Sequence, residues 1–245
     1  MTHHPPNVAL VTGGGRRLGA LLCQELAGMG FAVAVAYQRA AEPAQRLAEA
    51  IRASGGEALA LPLDLTNPDA AAVLLDAIAE RLGPLRLVVH NAGAFAPTPV
   101  TGGDWSAMST LFQINLQGPL WLSLQAATRM RANGGGQIIH IADLWGERPL
   151  AGHVAYCAAK AGVLMATQVL ARDLAPLIRV NAIAPGAILP PDPPASAEPF
   201  QTLLRRTPLA DHATPRAVVE AVRYLLAAPF VTGEILHVDG GRRLG

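Results

Sequence analysis

NVALVTGGGRRLGALLCQELAGMGFAVAVAYQRA, residues 7–40, carries the pattern on which the fold turns. An apolar, β-rich run (NVALVTG, 7–13) enters the glycine-rich turn TGGGRRLG (12–19). An amphipathic helical pattern follows over 18–29, and then a second β-rich run, FAVAVAY (31–37). Strand, turn, helix and strand in this order make the unit of a parallel sheet, because neighbouring parallel strands need a crossover and the crossover is usually a helix. Glycines at such a junction let the backbone approach a ligand, and the unpaired N–H groups of the first helical turn can hold a pyrophosphate. An ordinary tight turn is the blander reading of the same residues.

The rhythm continues outward from that unit. Further β-rich runs are ALALPLD (58–64), LRLVVHN (85–91), GQIIHIA (136–142), IRVNAIA (178–184) and EILHVDG (234–240). Helical patterns over 43–53, 68–82, 105–130, 153–175 and 215–227 separate them. Nearly uniform apolar strands alternating with helices predict an α/β fold, a doubly wound parallel sheet of Rossmann type covered on both faces. A chain of 245 residues is a normal size for one such sheet, and no repeat or linker divides it, so residues 1–245 read as one domain. The exception is APGAILPPDPPASAEPF (184–200), too long and proline-rich for an ordinary connection, which is expected to be a substrate lid or else an idle surface excursion.

Composition narrows the class. The residues are 51% hydrophobic yet only 4% aromatic, which suits small-residue packing of helices on a sheet. The formal charge is +1 with no charged run, so neither nucleic acid nor a membrane surface is an expected partner. MTHHPPN lacks the apolar core of a signal peptide, and no uninterrupted run approaches the roughly 18 apolar residues of a membrane span. Cys23 and Cys157 lie in helical patterns without ligand-like spacing, so two free thiols, no metal site and a reducing, cytoplasmic location are expected.

The second strand ends in AYQRA (36–40). A site for NAD usually places Asp or Glu there to hold the ribose 2′-hydroxyl. Here Tyr37 and Gln38 are followed by Arg39. A carboxylate would repel a 2′-phosphate, whereas Arg39 and Arg16 can pair with one, so NADPH/NADP is the expected cofactor. Two solvated surface arginines are the alternative. Asp64, at the end of the third strand, could accept from an adenine amine or cap the following helix. HNAG (90–93) closes the fourth strand, at the strand ends where ligands of such sheets bind. Tyr156 and Lys160, four apart, share one face of a helix. Asp143 ends the strand before it.

With these pieces together, the chain resembles the short-chain dehydrogenases/reductases over nearly its whole length. The resemblance rests on the glycine turn, Asn91-Ala92-Gly93, Asn115 in QINLQG, Tyr156 with Lys160, RVNAIAPG (179–186) and VTGEILHVDGG (231–241). It implies a homotetramer of Rossmann domains, with VDGGRRLG near a subunit contact. It also implies cofactor contacts from Gly13, Arg16, Arg17, Leu18, Tyr37, Arg39, Asp64, Leu65, Asn91, Ala92, Gly93, Tyr156, Lys160, Pro185 and Gly186. Tyr156 would be the general acid, Lys160 would hold the nicotinamide ribose and lower the tyrosine pKa, and Asn115 would support a water relay.

Three positions depart from the common pattern: Arg17 replaces the middle glycine of the turn, Asp143 replaces the serine, and His90 stands where asparagine is frequent. The first two, with Arg39 and Phe95 in NAGAFAPTP, resemble the pteridine reductases and the bacterial dihydromonapterin/dihydrofolate reductases. That resemblance implies a pterin substrate, with Arg17 reaching the pterin and the cofactor phosphates, Phe95 stacking on the ring, and Asp143 and Tyr156 facing the reducible edge. Gly93 stands where the eukaryotic members have serine, which bears on one polar contact, and His90 reads as structural. The chemistry agrees: an ionised Asp143 only accepts hydrogen bonds, so it suits a heterocycle with N–H groups better than a ketone oxygen gaining charge. It should also raise the Tyr156 pKa. Against this, Phe95 could be core or lid packing, and Asp143 could pair with Arg148. The other functions that fit are a carbonyl or 3-oxoacyl-thioester reductase and a non-catalytic NADPH-binding sensor.

Overall fold

A computed structural model describes residues 7–190, 200–209 and 214–244. Seven strands form one parallel sheet: β1 (Val8–Thr12), β2 (Ala32–Tyr37), β3 (Ala58–Pro62), β4 (Leu85–His90), β5 (Gly136–Ile141), β6 (Ile178–Pro185) and β7 (Ile235–Val238). Their spatial order is β3-β2-β1-β4-β5-β6-β7. The chain therefore starts in the middle, winds out to β3, and returns to lay β4 beside β1, pairing Val8 with Leu85 and, after a one-residue shift, Ala9 to Val11 with Leu87 to Val89. At that reversal the crossovers leave on opposite faces of the sheet, which opens a crevice above the ends of β1 and β4.

The helices are α1 (Arg17–Gly28), α2 (Ala41–Ala53), α3 (Pro68–Arg81), α4 (Trp105–Phe112), α5 (Gly118–Ala132), α6 (Val154–Leu174), α7 (Phe200–Arg205) and α8 (Pro215–Ala227). Leu22, Leu47 and Val222 of α1, α2 and α8 pack on Val11, Val35, Ile139 and Ile183. Leu74, Leu122 and Leu170 of α3, α5 and α6 pack on Leu10, Val88, Ile138 and Val180. Both faces are thus dry, which is why the strands read as continuous apolar runs rather than alternating ones. By length and composition α6 could cross a membrane, but half of that stretch is buried within this fold.

Three local features differ from the sequence reading. The single helix expected over 105–130 is interrupted by a wide turn, Gln113–Gln117, between α4 and α5. Pro119 has no N–H to give the carbonyl of Asn115, so the ladder shifts to the longer i→i+5 spacing. The cap of α3 is Asn67, whose side chain accepts from the Asp69 N–H at 3.0 Å, not Asp64. The short α7 was not expected. Of the expected lid, residues 184–190 and 200 are described, and residues 191–199 lie outside the described residues.

Candidate active site

The glycine turn is held against the end of β4 by a small hydrogen-bond net. Asn91 Nδ2 donates to the carbonyls of Thr12 (3.0 Å) and Gly13 (3.1 Å). Thr12 Oγ1 accepts from the N–H groups of Asn91 (3.1 Å) and Ala92 (3.0 Å). The Asn91 amide N–H groups shape the turn, and the residue lines the crevice where the cofactor contact is expected. Gly13 has φ +63°, and a Cβ there would stand 3.0 Å from Ala92 Cα; one on Gly19 would overlap the Gly13 carbonyl. Only hydrogen fits between α1 and this turn, so the helix N-terminus faces the space above it.

Arg17 occupies the position where the common pattern has glycine, and it keeps the glycine conformation: φ is +54°, the only positive value at a non-glycine among the described residues. Its guanidinium donates across the crevice to the Pro190 carbonyl.

The crevice has a volume of about 1460 Å³ and runs over the C-terminal ends of the central strands. Pockets for drug-sized ligands span roughly 300–1,000 Å³, so this one has room for a dinucleotide and a second molecule. Its walls carry Arg16, Tyr37, Gln38, Arg39 and Leu65 beyond the ends of β2 and β3, Gly13, Leu18, Ala92 and Gly93 beyond β1 and β4, and the mutually contacting Phe95, Asp143, Trp145, His153 and Tyr156 at the far end, with Arg17 and Gly186 also on the wall. Arg16 and Arg39 are both exposed at the mouth. Asp64 lies beside them: its Oδ1 takes the Thr66 N–H (2.9 Å) and hydroxyl (2.8 Å). These bonds, with smaller help from Gln38 and Arg39, hold its carboxyl below the usual range against a modest opposing effect of burial. Asn115 and Lys160 are buried beside Gly93, and a Cβ on that glycine would stand 3.9 Å from Lys160 Nζ.

At the far end, Tyr156 Oη donates to Asp143 Oδ2 at 2.6 Å, and Asp143 Oδ1 accepts from the Trp145 N–H at 3.0 Å, closing the short turn Leu144–Gly146. Arg148 donates instead to the Arg242 carbonyl (2.6 Å), so the alternative Asp143–Arg148 ion pair is not made. Burial pushes the Asp143 carboxyl up, against the pull of Lys160 and of its two hydrogen bonds. Burial, then the Asp143 charge and hydrogen bond, push the Tyr156 hydroxyl well above its ordinary value. Lys160 is lowered by burial and partly restored by Asp143. Its Nζ donates to the Ile141 carbonyl at 3.1 Å and lies 5.7 Å from the Tyr156 ring centre. The lowering of the tyrosine pKa expected from Lys160 is outweighed, because an apolar wall and a carboxylate 2.6 Å away both disfavour phenolate.

Asn115 sits in the wide turn and spends its whole side chain on backbone. Nδ2 donates to the carbonyls of Ala94 (2.8 Å) and Leu111 (3.0 Å), and Oδ1 accepts from the Ala94 N–H (3.1 Å). A Cβ on Gly93 would stand 3.1 Å from that Oδ1, so the departure from serine removes a crowding contact. His90 is buried, 2.8 Å from Ser123 Oγ and stacked on His140, as a structural residue should be.

Phe95 is not a bare plate. Its ring lies parallel to that of His153 (4.6 Å, 13°) and perpendicular to that of Tyr156 (4.8 Å, 90°). His153, Trp145 and Arg242 were missed by the sequence reading. Arg242 was expected near a subunit contact; here it lines the crevice, its guanidinium 5.5 Å from the Trp145 ring centre. For His153 a signal existed, since it precedes Tyr156 by three positions on one helical face.

A parallel seven-stranded sheet with this glycine turn and a buried tyrosine–lysine pair defines a nucleotide-binding oxidoreductase. The short chain dehydrogenase family model matches residues 7–195, and the chain belongs to that family. It is 38% identical over 239 residues to the cis-4-hydroxycyclohexanecarboxylate dehydrogenase of Sinomonas cyclohexanicum, spanning 96% of this chain and 95% of that one. It is 33% identical to the 3-oxoacyl-[acyl-carrier-protein] reductase of Synechocystis sp., spanning 98% of each. Among solved structures, FolM alternative dihydrofolate reductase 1 from Brucella canis, complexed with NADP, superposes with a TM-score of 0.87 at 32% identity, covering 98% of this chain and 95% of the other.

Proposed function

We propose that the protein is an NADPH-dependent reductase of pterins, taking a dihydropterin or dihydrofolate to its tetrahydro form. The observation that carries this reading is the 2.6 Å hydrogen bond from Tyr156 to Asp143 at the crevice wall. A carboxylate in that place cannot donate to a carbonyl oxygen, but it can accept from ring N–H or amino groups, or pass on a proton. Arg17, on the wall of the same crevice, would supply donors for the heterocycle's nitrogen and carbonyl acceptors. The likeness to FolM supports the same substrate class.

The glycine cradle fits a dinucleotide, because only hydrogen fits where α1 packs against the turn at Gly13 and Gly19, and this close packing leaves the N-terminus of α1 facing the crevice, where a pyrophosphate would sit. Gly13, Arg17 and Leu18 would hold the phosphates, Arg16 and Arg39 a 2′-phosphate, and Tyr37, Asp64 and Leu65 the adenosine. Ala92, Gly93, Lys160, Pro185 and Gly186 would meet the nicotinamide half. When bound, the reduced nicotinamide supplies hydride. Tyr156 keeps its proton at neutral pH, turns it from Asp143 to the substrate's ring nitrogen as hydride arrives, and takes a replacement proton from solvent by way of Asp143, which also accepts from the substrate. Asn91 and Asn115 shape the walls.

The names of the sequence relatives favour a second reading, a 3-oxoacyl-thioester or carbonyl reductase. NADPH oxidation measured against dihydrobiopterin, dihydromonapterin, dihydrofolate, folate and a 3-oxoacyl thioester separates the two. Turnover of the thioester with indifference to every pterin would overturn the pterin reading. Trp105, Trp121, Leu124, Met165 and Val169 leave apolar surface exposed on α4, α5 and α6, which supports a homo-oligomer, a tetramer by the family's habit. Light scattering would test it.

A further inference from the structure

We infer that His153 and Phe95 are positioning residues for Tyr156, the three rings forming one clamp that keeps the tyrosine hydroxyl on Asp143. The inference rests on Tyr156 as the proton donor of a reductase, not on the identity of the substrate.

His153 is the cap residue of α6 and Tyr156 lies one turn on, so both rings leave the same face of the helix. The Phe95 ring contacts both, parallel to the first at 4.6 Å and perpendicular to the second at 4.8 Å. Both contacts are favoured geometries for aromatic quadrupoles. Each member is also tied down by its backbone. Ala94, next to Phe95, exchanges two hydrogen bonds with the Asn115 side chain. Three residues beyond Phe95, Thr98 pairs with His153 as in a parallel ladder, its N–H donating to the Gly152 carbonyl. His153 Nδ1 lies 2.9 Å from the Ala151 carbonyl, which can only accept, so the proton is on Nδ1 and the ring cannot turn freely.

His153 Nε2 is buried without a hydrogen-bond partner. What its contacts show is a flat ring packed on Phe95. The Asn115 amide enters the same chain of contacts, holding the strand of loop from which Phe95 projects.

The test compares Phe95→Leu, His153→Ala and His153→Phe, each for kcat, for the KM of NADPH, and for nitration of Tyr156 in the cofactor-free protein followed by peptide mass. Displacing a reacting group by about 1 Å costs about 10²-fold. Phe95→Leu and His153→Ala should therefore lose roughly 10–10²-fold in kcat, by one common factor on a dihydropterin and on a ketone or thioester, with the KM for NADPH unchanged. Nitration of Tyr156 should rise several-fold in both, and His153→Phe should restore both the rate and the protection. A loss in Phe95→Leu confined to heteroaromatic substrates would make that ring a substrate plate and overturn the clamp. So would a His153→Phe variant as impaired as His153→Ala, or unchanged nitration. If only ketones or thioesters are turned over, the pterin reading fails while the clamp is still tested on them. If nothing is turned over, nitration decides alone.

Discussion

The left-handed backbone at Arg17 makes a prediction with a sign that ordinary helix propensity contradicts. Arg17→Gly and Arg17→Ala both remove the guanidinium and its bond to the Pro190 carbonyl, so those losses cancel when the two are compared. They differ in one respect: alanine keeps a Cβ on a residue at φ +54°. That conformation costs a non-glycine residue about 1–2 kcal/mol. Glycine gives back about 0.5–1 kcal/mol of it through its greater loss of backbone freedom on folding. Arg17→Gly should therefore be more stable than Arg17→Ala by about 0.5–1 kcal/mol. At a normal helical position alanine would lead by about 1 kcal/mol instead. For a chain of this length the gap amounts to about 1–4 °C in Tm. Urea unfolding of the cofactor-free proteins, compared at equal m, reads the difference directly. Alanine equal to or more stable than glycine would show that position 17 does not need the left-handed conformation. Both variants should lose reductase turnover relative to the parent, so the stability advantage of glycine over alanine should bring no advantage in function.

Tyr156→Phe should leave NADPH binding nearly intact and lower turnover by about 10²–10⁴-fold, the usual worth of a positioned acid; full activity would mean the proton comes from Asp143 or water. Arg39→Asp should collapse a preference for NADPH over NADH of about 10²-fold in kcat/KM, and equal use of both cofactors by the parent protein would contradict the assignment of Arg16 and Arg39. Asp143→Asn, which keeps the shape but loses one acceptor oxygen and the titratable proton, should lose most pterin reduction, whereas Asp143→Ser should be as poor on pterins and gain weak ketone activity; undiminished pterin turnover in Asp143→Asn would make the aspartate architectural. Burial, then the Lys160 charge, lowers His140 from 6.5 to about 4. The unfolded chain therefore takes up this proton first as pH falls, and the contribution to stability is complete above about 6.5 and lost between there and about 4. The loss is about 3 kcal/mol. His90, stacked on His140, is lowered in the same direction by burial and by His140. His140→Gln should therefore lessen rather than abolish that part of the slope in the urea-midpoint profile against pH, and an unchanged profile would place the acid sensitivity elsewhere.

The strands, the helices and the glycine turn were legible along the chain because each depends on neighbours within a turn or a pleat. Burial on both faces left continuous apolar runs at residues such as 8–11 and 32–36, and helical periodicity placed Tyr156 and Lys160 on one face. The meeting of Asp143 with Tyr156 was legible only through a family resemblance, since nothing local relates a strand end to the next helix. Other features needed the assembled sheet. The order of the strands brings the end of β4 against the turn after β1, and only then does Asn91 find the carbonyls of Thr12 and Gly13. The loop after β4 folds against the start of α6, and only then does Phe95 meet His153. Even the break at 113–117, seeded locally by Pro119, has its consequence at a distance, where Asn115 pins Ala94. Periodicity and propensity act between residues close in sequence. The pairing of side chains far apart in sequence depends on how layers pack, and no single segment carries that information.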